Sequence, residues 1–131
     1  AEIMQLNEPE GQAHEKGVII NTASVAAFEG QIGDVAYSAS KAGVAGMTLP
    51  IARDLSGQGV RICTISPGVF HTPMMASSAD QVRGSLIAMV QYPRRMGLPP
   101  EFALLSEQIV ENPYLNGETI RLDGGIRVGP K

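Results

Sequence analysis

Several kinds of residue are scarce in this chain of 131 residues, which has no tryptophan, one cysteine and no excess of basic side chains. A single cysteine cannot form a disulfide bond within the chain. Cys63 stands in the apolar run V-R-I-C-T-I, where a small buried side chain is its expected role. The formal net charge of −3 offers no basic surface, so the composition argues against nucleic acid as a partner.

Long apolar runs are missing as well. No stretch approaches the roughly 18 apolar residues of a membrane-spanning helix. The acidic first ten residues lack the basic cluster of a secretory signal. We therefore expect no membrane partner. Because hydrophobic residues make up 44% of the chain, we expect one globular domain rather than a disordered segment.

The residues that are present alternate between strand and helix signals. The apolar residues 18–20 predict a strand covered on both faces, residues 60–65 predict a second, and the stretch N-G-E-T-I-R-L-D-G-G predicts a third. Strands separated by helices indicate an α/β fold with a parallel sheet and right-handed crossovers. Without a reversal of strand order, such crossovers put both helices on one face, so the other face should lack a cover.

Two main helices are predicted between these strands. The first runs from about Val35 to Ser56, with Asp34 as its cap and a kink at Pro50. Its apolar side chains recur at spacings of three and four and form one face, which consists of Val44, Met47, Ile51 and Leu55. The second helix begins at the prolines 99–100 and ends at 112–113. Residues 71–96 are irregular and rich in methionine, with one short helix at about 80–90.

Tyr37 and Lys41 lie four residues apart in the first predicted helix, so both side chains stand on one face. A tyrosine has an ordinary pKa of about 10, and a neighbouring ammonium favours the phenolate form, which suits acid–base work nearer neutrality. The pair is therefore a candidate for proton transfer. The alternative is a surface pair without a role, because Y-x-x-x-K is a short pattern.

Ser24 precedes Tyr37 by 13 positions and follows the first predicted strand. In an open parallel sheet, ligands lie outside the carboxyl ends of the strands, and a hydroxyl placed there can hydrogen-bond a substrate oxygen. Pro67-Gly68 ends the second strand at the same edge, and Thr72 follows it. The alternative role of Ser24 is that of a helix cap or turn residue.

These motifs together resemble the short-chain dehydrogenase/reductase family. The resemblance rests on Ser24, on Y-S-A-S-K, on the strand that ends in S-P-G-V-F-H-T-P and on N-G-E-T-I-R-L-D-G-G, and it begins at about Gly17. The segment G-V-I-I-N-T-A-S-V-A-A-F-E-G-Q is similar to the 3-hydroxyacyl-CoA dehydrogenase branch. The resemblance implies an NAD(P)-dependent oxidoreductase that interconverts a secondary alcohol and a ketone, with a small 3-hydroxyacyl-CoA or hydroxysteroid substrate. It favours NAD and leaves NADP open.

The resemblance also assigns roles to residues. Ser24 would orient and stabilise the substrate oxygen, Tyr37 would be the general acid/base, and Lys41 would assist Tyr37 and bind the nicotinamide ribose. Tyr37 would thus touch both substrate and cofactor. The nicotinamide end of the cofactor would lie against the loop that contains Pro67, Gly68, Phe70 and Thr72. Residues 71–96 would form the substrate-binding loop, in which His71 receives no role.

Part of the family pattern is missing from the chain. The glycine-rich turn that binds pyrophosphate, the acidic residue that binds the adenosine ribose and the N-N-A-G segment do not precede Ser24. Residues 1–131 are therefore interpreted as the C-terminal catalytic half of one Rossmann-type, doubly wound domain, without its dinucleotide-binding half, and inactive alone. The alternative is a non-catalytic fragment or interaction module that retains this half of the fold.

Ala39, Gly43 and Gly46 share one face of the first helix. Glycine inside a helix costs about 1 kcal/mol relative to alanine, so a close contact should offset that cost. The family pairs subunits through this helix, which implies a homo-oligomer, either a dimer or a tetramer. Close packing on the chain's own sheet is the alternative. The resemblance further implies a cytoplasmic location, or the mitochondrial matrix in a eukaryote.

Overall fold

A computed structural model describes residues 1–130. Its centre is a three-stranded parallel sheet in the order β1-β2-β3, formed by β1 (Gly17–Thr22), β2 (Val60–Pro67) and β3 (Thr119–Leu122). The three strands are rich in valine, isoleucine and threonine, the β-branched residues that pack well on a pleated surface. The predicted α/β class and parallel pairing are confirmed.

Five helices in residues 1–130 connect the strands. α1 (Val35–Gly46) and α2 (Thr48–Leu55) join β1 to β2, whereas α3 (Pro73–Ala76), α4 (Asp80–Met89) and α5 (Pro99–Glu111) join β2 to β3. α5 begins with two prolines, because the first turn of a helix does not need their N–H groups. None of the helices described here is long and apolar enough to cross a membrane.

The helix predicted from Val35 to Ser56 is in fact two helices. Pro50 has no N–H to donate to the carbonyl of Gly46, and its ring crowds that carbonyl. α1 therefore ends at Gly46, and the break lies at Met47 rather than at the proline. Asp34 occupies the predicted cap position, but its carboxylate accepts the Gln31 N–H at 3.3 Å and does not cap the helix.

Helices cover both faces of the sheet. On one face, the hydroxyl of Thr48 in α2 hydrogen-bonds that of Thr64 in β2 at 2.5 Å. On the other face, Cys63 and Ile65 pack against Ile109 of α5, and all three are fully buried. The prediction of an uncovered face is wrong. Because the strand order does not reverse, helices on opposite faces require crossovers of opposite hand, so one crossover departs from the right-handed rule.

The packed side of α1 and α2 also differs from the predicted face. Thr48 and Ala52 are buried, whereas Met47 is 41% exposed. A search for large apolar residues overlooks Thr48, although its bond to Thr64 satisfies the hydroxyl and allows its burial.

A buried arginine anchors α5 to the sheet. Arg61 in β2 donates to the backbone oxygens of Ile109 at 2.9 Å and Leu115 at 2.7 Å, and it pairs with the Glu15 carboxylate at 2.5 Å. Carbonyl groups at the end of a helix have no partner within the helix, so an arginine there satisfies them.

β1 lies at one edge of the sheet. Its side chains are half-buried or exposed, rather than covered on both faces as predicted. Its outer edge pairs with no strand within residues 1–130. The carboxyl ends of β1 and β2 meet at one side of the molecule, and the candidate residues lie there.

Candidate active site

Ser24 follows the end of β1. The Ala23 N–H still donates to the Ile65 carbonyl at 2.8 Å, so the chain stays beside β2 past the end of the strand. The Ser24 Oγ then accepts the Ala26 N–H at 3.1 Å and caps a short turn at Val25–Ala27. This is the capping role foreseen as the alternative. It occupies an oxygen lone pair, however, and leaves the hydroxyl hydrogen free to donate to a ligand.

Tyr37 and Lys41 lie in the first two turns of α1. The Lys41 Nζ is 5.8 Å from the centroid of the Tyr37 ring and donates to the carbonyl of Thr22, the last residue of β1, at 3.0 Å. Tyr37 is 50% exposed. The hydrogen bond to the strand thus holds an ammonium beside a phenol that a ligand can reach.

Gly30 brings the segment between Ser24 and Tyr37 close to α1. A Cβ at position 30 would collide with the Ser38 hydroxyl, so glycine allows the approach that a larger residue would prevent. Since Ser38 follows Tyr37 directly in the chain, this contact positions the Ser24 turn relative to the candidate proton donor.

A cleft of about 730 Å³ lies at the carboxyl ends of β1 and β2. Its lining includes six residues singled out from the sequence: Ser24, Tyr37, Pro67, Gly68, Phe70 and Thr72. Lys41 does not line the cleft. Its ammonium donates to the Thr22 carbonyl and lies beside the ring of Tyr37, which does line the cleft. Distant segments therefore converge at this edge, as expected for parallel strands.

The turn at Pro67-Gly68 lies against the end of β3. The Gly68 N–H donates to the Leu122 carbonyl at 2.9 Å, and a Cβ at position 68 would lie 2.9 Å from the Asp123 Cα. Packing alone therefore requires this glycine. Thr72 caps α3 by accepting the Met75 N–H at 3.4 Å.

Residues 71–96 supply part of the cleft wall through Met74, Met75 and Leu86. The segment contains α3 as well as the predicted helix, which is α4. Met96, in contrast, is buried away from the surface. His71 is exposed and takes part through its backbone N–H, which donates to the Gly97 carbonyl at 2.8 Å.

Sequence reasoning missed several residues of the cleft wall. Glu29, Gln31 and Asp34 line it from the segment between Ser24 and Tyr37. Their position between two candidate residues was a usable signal. Val128 lines the cleft from the C-terminal tail, and no local pattern marks it, because only packing brings the tail to this edge.

Glu29 fastens the tail to the cleft. Its carboxylate accepts from the Arg121 guanidinium at 2.8 Å and from the Val128 N–H at 2.9 Å. The hydrogen bond from Arg121 holds the pKa of the Glu29 carboxyl below its ordinary value, and the Val128 N–H acts in the same direction. Arg121 also pairs with Asp123 at 2.7 Å and donates to the Ile126 carbonyl at 3.0 Å.

Comparison with known proteins places this arrangement among relatives. A 3-hydroxyacyl-CoA dehydrogenase type-2 of Drosophila melanogaster is 60% identical over 130 residues, which are 99% of this chain and 51% of that protein. The Homo sapiens protein of the same name is 58% identical over 127 residues, which are 97% of this chain and 48% of that protein. The chain thus spans about half the length of the curated relatives it matches.

A solved structure and a family description agree with these relatives. The crystal structure of 3-hydroxyacyl-CoA dehydrogenase type-2 from Mycobacterium avium matches with a TM-score of 0.90 and 44% identity, over 98% of this chain and 48% of that one. The family described as short chain dehydrogenase matches residues 2–83. That range contains the Ser24 turn, the Tyr37–Lys41 pair and the loop from Pro67 to Thr72, and the chain belongs to the short-chain dehydrogenase family.

Proposed function

We propose that this chain is the C-terminal catalytic half of an NAD(P)-dependent oxidoreductase that interconverts a secondary alcohol and a ketone. A 3-hydroxyacyl-CoA is the first candidate substrate and a hydroxysteroid the second. The observation that carries the proposal is the convergence of Ser24, Tyr37 and the Pro67–Thr72 loop on one cleft, with the Lys41 ammonium beside Tyr37. The relatives named 3-hydroxyacyl-CoA dehydrogenase type-2 support the substrate class.

The residues of the cleft fit the nicotinamide end of such a cofactor. Lys41 lies outside the cleft lining but beside the Tyr37 ring, and its ammonium uses one of three N–H donors on the Thr22 carbonyl, which leaves two for ribose hydroxyls of a cofactor bound next to Tyr37. Pro67 and Phe70 provide an apolar wall for a flat ring. The sequence has no glycine-rich pyrophosphate turn, so the fit concerns this end of the cofactor alone. The preference for NAD over NADP stays a prediction.

Each candidate side chain has one task in the proposed reaction. In the oxidation direction Tyr37, as a phenolate, takes the proton of the substrate hydroxyl, and the Ser24 hydroxyl donates to the same oxygen as it becomes a carbonyl. NAD, when bound, supplies the acceptor for the hydride that leaves the carbinol carbon. The Lys41 ammonium stabilises the phenolate. In the reduction direction Tyr37 returns the proton.

The wall of the cleft suits an apolar substrate. Val25, Met75, Leu86 and Phe102 line it, and methionine in a connecting segment adapts to substrates of different shape. This lining supports an acyl chain and a steroid nucleus equally. The cytoplasm, or the mitochondrial matrix in a eukaryote, stays the predicted location.

The proposal is tested in a chimera that joins, ahead of Ala1, the part of the Drosophila melanogaster relative that this chain does not match; we call it the complemented protein. With NAD and a short 3-hydroxyacyl-CoA we expect NADH formation at about 1–10³ turnovers per second, the usual range for enzymes. The intact Drosophila relative is the positive control. A folded but inactive chimera would favour the alternative of a non-catalytic interaction module.

The small residues on α1 support a homo-oligomer. Ala39, Gly43 and Gly46 are exposed, and a Cβ at either glycine would meet nothing within 4 Å. These glycines therefore serve no close packing within residues 1–130, in contrast to the intrachain alternative. We propose that this face contacts a second subunit in a dimer or tetramer.

Gly43→Leu should dissociate the complemented protein into smaller species, because a leucine side chain would hold the two subunits apart. Sedimentation velocity measures the change. Gly84→Leu is the matched control, since Gly84 lies in α4 and also faces open space. The same assembly in wild type and Gly43→Leu would show that this face is not an interface.

Acid should weaken the hydrogen bonds by which the Glu29 carboxylate holds Arg121 and the C-terminal segment at Val128. A carboxyl whose pKa is lowered by folding stabilises the folded state at pH values above its ordinary pKa near 4.5. This contribution is lost as the pH falls through the pKa of the folded state. Glu29→Gln should lower the melting temperature of the complemented protein at neutral pH by about 2–4 °C, the effect of about 1 kcal/mol in a chain of about 250 residues. The deficit should shrink below pH 4.5.

Differential scanning calorimetry at several pH values checks this expectation. Glu107→Gln, at an exposed position on α5, serves as the control and should change the melting temperature little at any pH. A deficit for Glu29→Gln that does not depend on pH would contradict the role of the ionised carboxylate.

A further inference from the structure

The backbone at Gly97 pairs with the backbone at Phe70, so the long segment between β2 and α5 ends beside the point where it begins. The Gly97 N–H donates to the Val69 carbonyl at 2.9 Å, and the His71 N–H donates to the Gly97 carbonyl at 2.8 Å. The two bonds form a parallel bridge between Phe70 and Gly97. Residues 71–96, which include α3 and α4, therefore begin at the loop from Pro67 to Thr72 and end beside it.

The side chain of Phe70 lies over Gly97. A Cβ at position 97 would be 2.7 Å from the ring Cε1 and 2.8 Å from Cζ, too close for either atom to stay in place. Gly97 is not among the glycines with positive φ. The glycine is therefore needed for space rather than for conformational freedom.

The ring of Phe70 has no room to move towards α5. Its ring packs edge-on against the ring of Phe102, with centroids 6.2 Å apart and planes at 88°. Phe102 in turn packs against the buried cluster that includes Ile65 and Ile109. Phe70 lines the cleft and also borders, together with Gly97, a neighbouring cavity of about 230 Å³, so a ring displaced by a side chain at position 97 would leave its contact with Phe102 and alter the wall of the cleft.

The backbone at Gly97 is also held in place. The Arg95 guanidinium bonds the Glu101 carboxylate twice, at 2.7 and 2.9 Å, and the same carboxylate accepts the Leu98 N–H at 2.7 Å. The hydrogen bond from Arg95 lowers the pKa of Glu101 to about 2, so the pair stays ionised at neutral pH. With both flanks of Gly97 bonded, the ring has to move instead of the backbone.

We propose that Gly97 is a positioning residue for the nicotinamide end of the cofactor, because its missing side chain lets the Phe70 ring stay packed against Phe102, in its place in the cleft wall. The inference rests on the proposed function, which assigns the loop from Pro67 to Thr72 to the cofactor.

Gly97→Ala in the complemented protein should weaken NAD binding about tenfold, the effect of a moderate overpacking cost of about 1.4 kcal/mol. The KM for NAD should change more than kcat. In a Phe70→Leu background the ring atoms that collide are gone, so Gly97→Ala should there change NAD affinity less than about twofold. Gly57→Ala, at a position away from the cleft lining, places the same methyl group in open space and should leave NAD affinity unchanged.

Isothermal titration calorimetry with NAD on the wild type, both single variants and the double variant decides the matter. Equal weakening by Gly97→Ala in both backgrounds, or none in either, overturns the inference. If Gly97→Ala alone does not fold, the Phe70→Leu/Gly97→Ala double variant should fold and bind NAD as Phe70→Leu does, and its failure to fold also overturns it. A wild-type complemented protein that does not bind NAD refutes the proposed function instead, and thermal unfolding of the same four proteins then measures the Gly97–Phe70 coupling without cofactor.

Discussion

Replacing Tyr37 by phenylalanine in the complemented protein should remove nearly all turnover and leave NAD affinity within a few-fold of the wild type. Phenylalanine keeps the ring beside the Lys41 ammonium but lacks the hydroxyl that exchanges a proton with the substrate. General acid–base catalysis contributes about 10²–10⁴ in rate, so we expect kcat to fall about a thousandfold. Steady-state kinetics and calorimetric NAD binding measure the two effects separately.

Tyr114→Phe is the matched control, because it removes a phenol that is 97% exposed and lies beyond α5. It should retain full activity. If Tyr37→Phe kept about a tenth or more of the wild-type kcat, Tyr37 would not be the proton donor. A loss of NAD affinity as large as the loss of kcat would instead indicate a binding role.

The 131-residue chain by itself should not behave as a stable monomer that binds NAD. The reason is the edge of the sheet rather than an uncovered face. β1 is six residues long, its outer edge pairs with no strand within residues 1–130, and unpaired strand edges of this kind associate with other chains. Ile3, Leu6 and Val35 are each more than 80% exposed.

The free energy at stake is comparable with the stability of a whole domain. Full burial of a leucine, isoleucine or valine side chain contributes about 1.5–3 kcal/mol, so the exposed Ile3, Leu6 and Val35 together forfeit about 5–9 kcal/mol. A folded domain has a net stability of about 5–15 kcal/mol. We therefore expect the isolated chain to be molten, to aggregate, or to associate with another copy or with the part of its relatives that it does not match.

Sedimentation, thermal unfolding and NAD calorimetry on the isolated chain test this expectation. Addition of the unmatched part of the Drosophila melanogaster relative as a separate polypeptide should give a complex with a sharp melting transition. A sharply melting monomer that binds NAD with micromolar affinity would overturn the prediction.

Short-range features of the chain could be predicted from its sequence. The alternation of strands and helices follows from periodicity, and proline and glycine mark most of the element ends. The candidate residues Ser24 and Tyr37 follow from their place near the carboxyl end of a strand and the start of a helix. Proline chemistry also predicted an interruption of the first helix, although the break falls at Met47, because the crowded carbonyl belongs to Gly46.

Tertiary structure decided how the elements are arranged in space. The alternation of elements is the same for either crossover hand, so the covering of both sheet faces by α2 and α5 could not be read from the sequence. Thr48 is buried because Thr64 satisfies its hydroxyl, and residue type alone does not predict such a pairing.

The candidate site shows the same division. Spacing within one helix determined that Tyr37 and Lys41 share a face, because a helix repeats every 3.6 residues. Glu29 and Val128 meet at the cleft only because Arg121 and the end of β3 bring the tail there. Position 97 requires glycine because the ring of Phe70 lies against it, although α3 and α4 separate the two residues in the sequence. Local chemistry therefore determined which residues are candidates for the reaction, and packing between distant segments decided what surrounds them.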